Sequence, residues 1–468
     1  MMNSHPDFIR SSGSGRFAKR DLALIVATLL GTGVLAGPIA MATAPGNSAL
    51  GTADQQAVET LALKLLASPE LAKQKQETLK RFEADPTART ADGKATVTNA
   101  VDELAFAAAL GAANNDPTHP KAAWAYTAPR EWFGYQVPGS RWGIDNPDNV
   151  YRFIRVDGSS KYRIRVHPTQ PGPVQYSFLL YDTFIGENTK QKNLDEPIAG
   201  LRDRDIKAEP DGSFVITVDS DPANGRPNHI QTTADAKILL VRNTFNDWGT
   251  QNPLPLEIER VGGPEAHKPA SDSELARTAA DYLEAGTNTL LELKNGSAFA
   301  GGQTVNTLSK PFLRGGNWGF ASHGTFRFGD DEALLVTLDP VGAKYLSFDV
   351  TDPWLVSREH VRANGNLNNG QARPNADGTF TYVVSARDPG ILNWLDTGGL
   401  HEGTILIRWQ SLPESVKSAD GAVRDVKVVK LADLPNLLPP ETAKVTPEER
   451  QRLYAERAAS YAHRYGPL

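Results

Sequence analysis

The feature that most constrains this chain is an ordered set of strand and turn markers that occurs twice. Ser177-Phe178 to Asp182 matches Ser347-Phe348 to Asp352 at an offset of 170, and Asp211-Gly212-Ser213-Phe214 matches Asp377-Gly378-Thr379-Phe380 at 166. Asp221-Pro222 matches Asp388-Pro389, Asn228-His229-Ile230 matches Asn393-Trp394-Leu395, and Ile238 to Arg242 matches Thr404 to Arg408. The step from Asp211 to Arg242 equals that from Asp377 to Arg408, 31 residues in both. Asp-Gly ahead of an apolar run is hairpin chemistry, because glycine accepts positive φ. The runs themselves alternate and are bounded by Gly, Pro, Asn and Asp, as half-buried strands are. A period this long predicts two domains rather than a solenoid. The expected fold is mainly β: two tandem antiparallel β-sandwich units, jelly-roll-like, over residues 121–268 and 301–435.

Helices are expected around these units. Residues 45–120 read as helical, with Val58, Leu61, Leu65 and Leu66 on one face and Ser68-Pro69 as a cap followed by proline in the first turn. A second apolar helix covers about Val97 to Leu110. Ser271 with Glu274 opens a linking helix within 269–300, and Thr446-Pro447-Glu448-Glu449 opens a charged C-terminal helix within 436–468.

The first 44 residues carry a different signal. Arg16, Lys19 and Arg20 precede an apolar run from Leu22 to Ala36, and Ala40-Met41-Ala42 follows as an A-x-A site. That order predicts a secretory signal peptide. The alternative is an uncleaved N-terminal membrane anchor, since Leu22 to Ala40 is nearly long enough to span a bilayer. Either way the flanking positive charge places the bulk of the chain in the periplasm or outside the cell, and the membrane is met only through this segment.

Composition excludes some functions. There is no cysteine, so disulfides, thiolate metal sites and a cysteine nucleophile are ruled out. The formal charge is −6 with no block of Lys or Arg, which argues against nucleic acid as a partner. No G-x-S-x-G, H-E-x-x-H, P-loop or dinucleotide fingerprint is present.

Tyr181-Asp182, Asp211-Gly212-Ser213, Arg242, Asn393-Trp394-Leu395 and Arg408 resemble the markers of the envelope-associated domain of unknown function 1214, in two copies over about 148–262 and 315–410. His229 stands where that pattern has Trp, Thr351-Asp352 replaces Tyr-Asp, and Asp396-Thr397-Gly398 replaces the usual Pro-Ala-Pro. The resemblance implies a β-sandwich in the cell envelope, often beside domain of unknown function 1254. It brings no established catalytic residues.

Three constellations carry candidate chemistry. In the second unit His323, His360, Asp396, His401 and Arg408 form the candidate catalytic set, since a histidine with a carboxylate does acid–base work near neutral pH. The structural alternative is that His323 and His401 cap turns while Trp354 and Trp394 fill core. The loop from Trp142 to Asn149 offers Asp145, Asp148 and Asn149 as Ca²⁺ oxygens, although its spacing is not that of an EF-hand and turn chemistry explains the same residues. Phe245-Asn246-Asp247-Trp248 follows the Arg242 strand and either helps a pocket or covers the sandwich edge.

The expected function is binding of a carbohydrate or a hydrophobic or aromatic ligand near the seam of the two units, by Trp142, Asn149, Tyr151, Arg242, Trp248, Trp354, Asn393 and Trp394. No cofactor or metal is assigned. A lyase or hydrolase using a His/Asp pair, and an assembly protein forming homo-oligomers, are the alternatives.

Overall fold

The computed structural model describes residues 48–187, 197–266, 268–296 and 304–466. The signal or anchor segment lies outside the described residues. Among those described, no helix is long and apolar enough to cross a membrane.

The helical layer is built from α1 (Ala53–Leu66), α2 (Pro69–Ala84), α3 (Ala91–Ala113) and α4 (Asp272–Asn295). Thr52, Ser68, Thr90 and Ser271 cap them, each side chain accepting a backbone N–H of the first turn. Helix α3 is longer than its apolar core, because its run of alanines lets neighbours approach on nearly every side. Helix α4, expected as a linker, packs back onto α2 and α3. Ala276, Ala279, Leu283 and Leu290 are buried there, and the Thr78 and Thr287 hydroxyls meet at 2.9 Å.

The first strand-rich stretch holds β1 (Ala123–Ala125), β2 (Arg130–Trp132), β3 (Tyr135–Val137), β4 (Asn149–Arg155), β5 (Lys161–Val166), β6 (Gln175–Tyr181), β7 (Ala199–Arg202), β8 (Phe214–Asp219), β9 (His229–Gln231), β10 (Ile238–Thr244) and β11 (Leu256–Gly262). The second holds β12 (Thr307–Leu308), β13 (Phe312–Leu313), β14 (Gly319–Arg327), β15 (Glu332–Leu338), β16 (Tyr345–Thr351), β17 (Asn366–Asn368), β18 (Phe380–Ser385), β19 (Trp394–Asp396), β20 (Glu402–Gln410) and β21 (Val423–Lys430).

In the first unit the sheet β1-β4-β10-β6-β7 packs on β11-β5-β8-β9. In the second β12-β14-β20-β16-β17 packs on β19-β18-β15-β21. Counted from β4 and from β14, the two orders are the same strand for strand. Both units also contain one parallel pair, β8 with β9 and β18 with β19, among otherwise antiparallel ladders.

Each unit has its own core. Ile154, Phe178, Leu239 and Val241 meet Ile164, Ile216 and Val218 in the first. Leu346, Phe348, Ile405, Ile407 and Trp409 meet Val336, Tyr382 and Val384 in the second. The period of two then sends Leu240, Arg242, Leu406 and Arg408 to the opposite faces. Those faces are apposed: Tyr151, Leu179 and Leu240 share one buried cluster with Trp142, Ala321 and Leu406. After the short α5 (Leu434–Leu437), α6 (Pro447–Ala462) runs along both units.

Candidate functional site at the seam between the units

The two apposed sheets repeat one cross-strand motif. Arg242 on β10 lies opposite Ser177 on β6, and Arg408 on β20 lies opposite Ser347 on β16. On its other side Arg242 faces Tyr151 of β4. Its guanidinium sits 4.1 Å from the ring centre of Trp318, a second-unit residue, and 5.8 Å from that of Tyr151. Tyr126 stands 5.6 Å from Trp142 and 5.1 Å from Tyr151. Two aromatic rings thus face Arg242, and Tyr126 and Trp142 extend the group outward from Tyr151.

The backbone is strained here. Tyr126, Ile144 and Leu355 all have positive φ, at 58°, 58° and 66°, and the Ile144 N–H donates to the Leu355 carbonyl at 2.9 Å. A left-handed isoleucine is unfavourable on steric grounds and persists only where surrounding contacts hold it.

Polar groups fill the other half of the seam. Arg408 pairs with the buried Asp349 and donates to the Ile144 carbonyl at 2.8 Å. The Tyr345 hydroxyl donates to Asp148 Oδ2 at 2.8 Å, while Trp248 Nε1 and Asn368 Nδ2 donate to Asp148 Oδ1 at 2.8 and 2.7 Å. Ser357 donates to Asp145 at 2.9 Å. Burial pushes the Asp145 and Asp349 carboxyls up to about 7 and raises Asp148, although Arg141 and Arg408 pull the first two down. Of the groups expected as cation ligands, the Asp145 and Asp148 carboxyls are engaged by protein donors, while Asn149 Oδ1 has no partner among the described residues.

Several buried polar atoms have no hydrogen-bonding partner among the described residues. Such atoms occur in several parts of the molecule, and those at the seam are Ser177 Oγ, Gln175 Oε1, Asn149 Oδ1, Asp349 Oδ1, Trp318 Nε1 and the Gln410 amide. All lie on the seam side of their sheets or, for Trp318, directly against Arg242. Buried groups of this kind are normally satisfied, so a cluster of them marks a place built to meet something else.

The seam gathers Trp142, Asn149, Tyr151, Arg242 and Arg408 from the expected sets. Trp248 stands at its edge, with its indole faces covered by Arg457 at 4.2 Å and Arg464 at 4.6 Å. The remaining residues have other surroundings. Trp354 stacks on Phe82 at 4.8 Å and donates to the Gly93 carbonyl in the helical layer. Trp394 donates to Ser385, and Asn393 holds the Arg373 backbone at both N–H and carbonyl. His323 meets Phe312 edge-on at 5.5 Å. His360 is buried, donates from Nδ1 to the Arg358 carbonyl, and is held well below the usual histidine pKa by burial. His401 lies at the surface with Asp330 at 2.8 Å, whose hydrogen bond raises its pKa. Asp396 accepts from Tyr454 at 3.3 Å. The histidines and Asp396 thus have separate partners.

Tyr126, Gln175, Ser177, Trp318, Tyr345 and Asp349 were missed as site residues. The repeated Ser177/Ser347 and Arg242/Arg408 markers did contain the signal, because one register places each serine beside its arginine.

Sandwich pairs of this kind define a mainly β protein with a helical layer, and comparison with known proteins agrees. Residues 153–245 match the family described as a protein of unknown function (DUF1214). The chain is similar to the crystal structure of an uncharacterized protein from Burkholderia cenocepacia, with 25% identity and a TM-score of 0.64 over 80% of this chain and 100% of that one. A protein from Vibrio parahaemolyticus is more distant, at 12% identity and a TM-score of 0.37 over 61% of this chain and 90% of that one. No curated protein matches the chain.

Proposed function

We propose that this is an exported cell-envelope protein that binds a small aromatic ligand bearing oxygen substituents at the seam of its two units. The observation that carries the reading is the placing of Tyr151 and Trp318 against Arg242, extended outward by Tyr126 and Trp142, beside the partnerless polar atoms of Asn149, Gln175 and Ser177. Aromatic faces suit a ring, and the mixture of donors and acceptors suits hydroxyl and carboxylate groups. Export rests on the order of charge, apolar run and small residues before residue 45. The common strand order of the two units supports an origin by duplication, with the second unit a diverged copy of the first.

Thermal denaturation of the protein with hydroxybenzoates, unsubstituted benzoate and sterols tests the binding reading. A ligand at 100 times its Kd stabilises by about 2.7 kcal/mol, and Arg242→Met removes that shift. No shift with any of these compounds would count against an aromatic ligand. If the site also turns its ligand over, the acid–base groups at hand are Asp145 and Asp349, whose carboxyls titrate near neutrality.

A further inference from the structure

A separate cleft of about 420 Å³ opens where the loop after β10, the segment around β17 and helix α6 meet. We infer that it is a second binding site, and that its ligand is a neutral oligosaccharide.

The lining has two parts. Leu392 and Leu453 supply an apolar strip, while Asp247, Gln371, Glu456 and Ser460 supply hydrogen-bonding groups. Gln371 Oε1 accepts the Asn368 N–H at 3.2 Å, which leaves its NH₂ to donate. The Ser460 hydroxyl donates to the Glu456 carbonyl at 2.8 Å, which leaves its lone pairs to accept. A sugar ring presents the complementary surface, a C–H face edged by hydroxyls that both donate and accept.

Charge narrows the class. Asp247 and Glu456 are acidic. The cation in the lining, Arg457, is turned to protein acceptors: Nε donates to the His360 carbonyl at 2.6 Å and Nη2 to the Asn366 carbonyl at 3.0 Å. A phosphate or sulfate would face carboxylates with no available counter-charge, whereas a neutral saccharide meets none of that repulsion. Trp248 also lines the cleft, but its ring faces are covered by arginines, so recognition runs through hydrogen bonds and the leucine strip rather than ring stacking.

The test is calorimetric titration of the full chain with cellohexaose, maltohexaose and chitohexaose. One of them binds, and the exposed Glu456→Ala variant weakens it at least tenfold with an unchanged melting temperature, while Gln371→Ala also weakens it but lowers the melting temperature by losing the bond to the Asn368 N–H. Ser460→Arg, a half-buried helical position at the cleft wall, blocks the same binding without touching the hydrogen-bonding pair. Arg242→Met leaves it intact, which separates this site from the seam. Failure of all three sugars to bind, or binding that survives Glu456→Ala and Ser460→Arg, overturns the inference.

Discussion

Trp248 Nε1 donates to Asp148 Oδ1 at 2.8 Å, and through that bond a loop of the first unit is tied to a carboxylate that also holds Tyr345 and Asn368 of the second. The bond is buried at both ends. It serves both regions described above, since Asp148 lies in the seam network and Trp248 lines the cleft.

Trp248→Phe keeps an aromatic ring and removes the donor. One oxygen of a buried carboxyl then loses a hydrogen bond, a loss of about 1–3 kcal/mol. Urea denaturation at neutral pH should show a lower midpoint with an unchanged slope.

Asp145 and Asp349 should each subtract stability as pH rises toward neutrality, opposite in sign to the buried His360. Asp145 and Asp349 have ordinary values of 3.8 and are raised to about 7 in the folded chain. The unfolded chain therefore releases these protons first, and each group disfavours folding progressively between about 4 and 7. Asp145→Asn should flatten the slope of stability against pH between about 4 and 7. An unchanged slope would show that Asp145 is not the titrating group.

Arg457→Met should destabilise strongly, because it removes a buried guanidinium that serves the His360 and Asn366 carbonyls and stacks on Trp248. The expected loss is about 1–3 kcal/mol for each buried carbonyl left without its donor. Arg457→Lys should recover only part of it, since an ammonium lacks the planar fork. Melting temperatures of the two variants measure the difference.

Gly370→Ala tests how tightly the units are joined. A Cβ at Gly370 would stand 2.1 Å from the Asn246 carbonyl oxygen of the first unit, so backbone has to move. A cost of about 1–3 kcal/mol is expected from overpacking, read as a lower midpoint in denaturant.

The architecture was legible where local chemistry repeats. The Asp-Gly turns and the capping boxes at Ser271 and Thr446 stand where their patterns place them, and the runs around Leu239 and Ile405 are strands as expected, although buried on both faces rather than half-buried because the two units cover each other. The site was legible only in part. Tyr151 and Arg242 come together because neighbouring strands of one sheet pair them and the loop before β4 adds Trp142, while Trp354 reaches the far side of the same buried cluster against Phe82 and Trp394 joins a separate core. Aromatic identity alone does not say which face a loop residue will take. Tyr126 and Trp318 lie outside the alternating strands, and no periodicity announced them. The C-terminal helix was expected only as charged, and its Arg450 and Arg457, with Arg464 in the turn that follows, are all buried, because each guanidinium finds carbonyl or carboxylate acceptors and an aromatic face.

Those arginines recur every seven residues, and they engage Asp388 and Ile391, then Asn366 and Trp248, then Pro147. The helix therefore fastens the second unit to the first like a three-pronged clasp. Because the fastening draws on acceptors from both units, it is complete only when both are folded. Without those contacts Trp248 and the Asp148 carboxylate beneath it would lose their cover, so the C-terminal segment and the two units are coupled as one cooperative body.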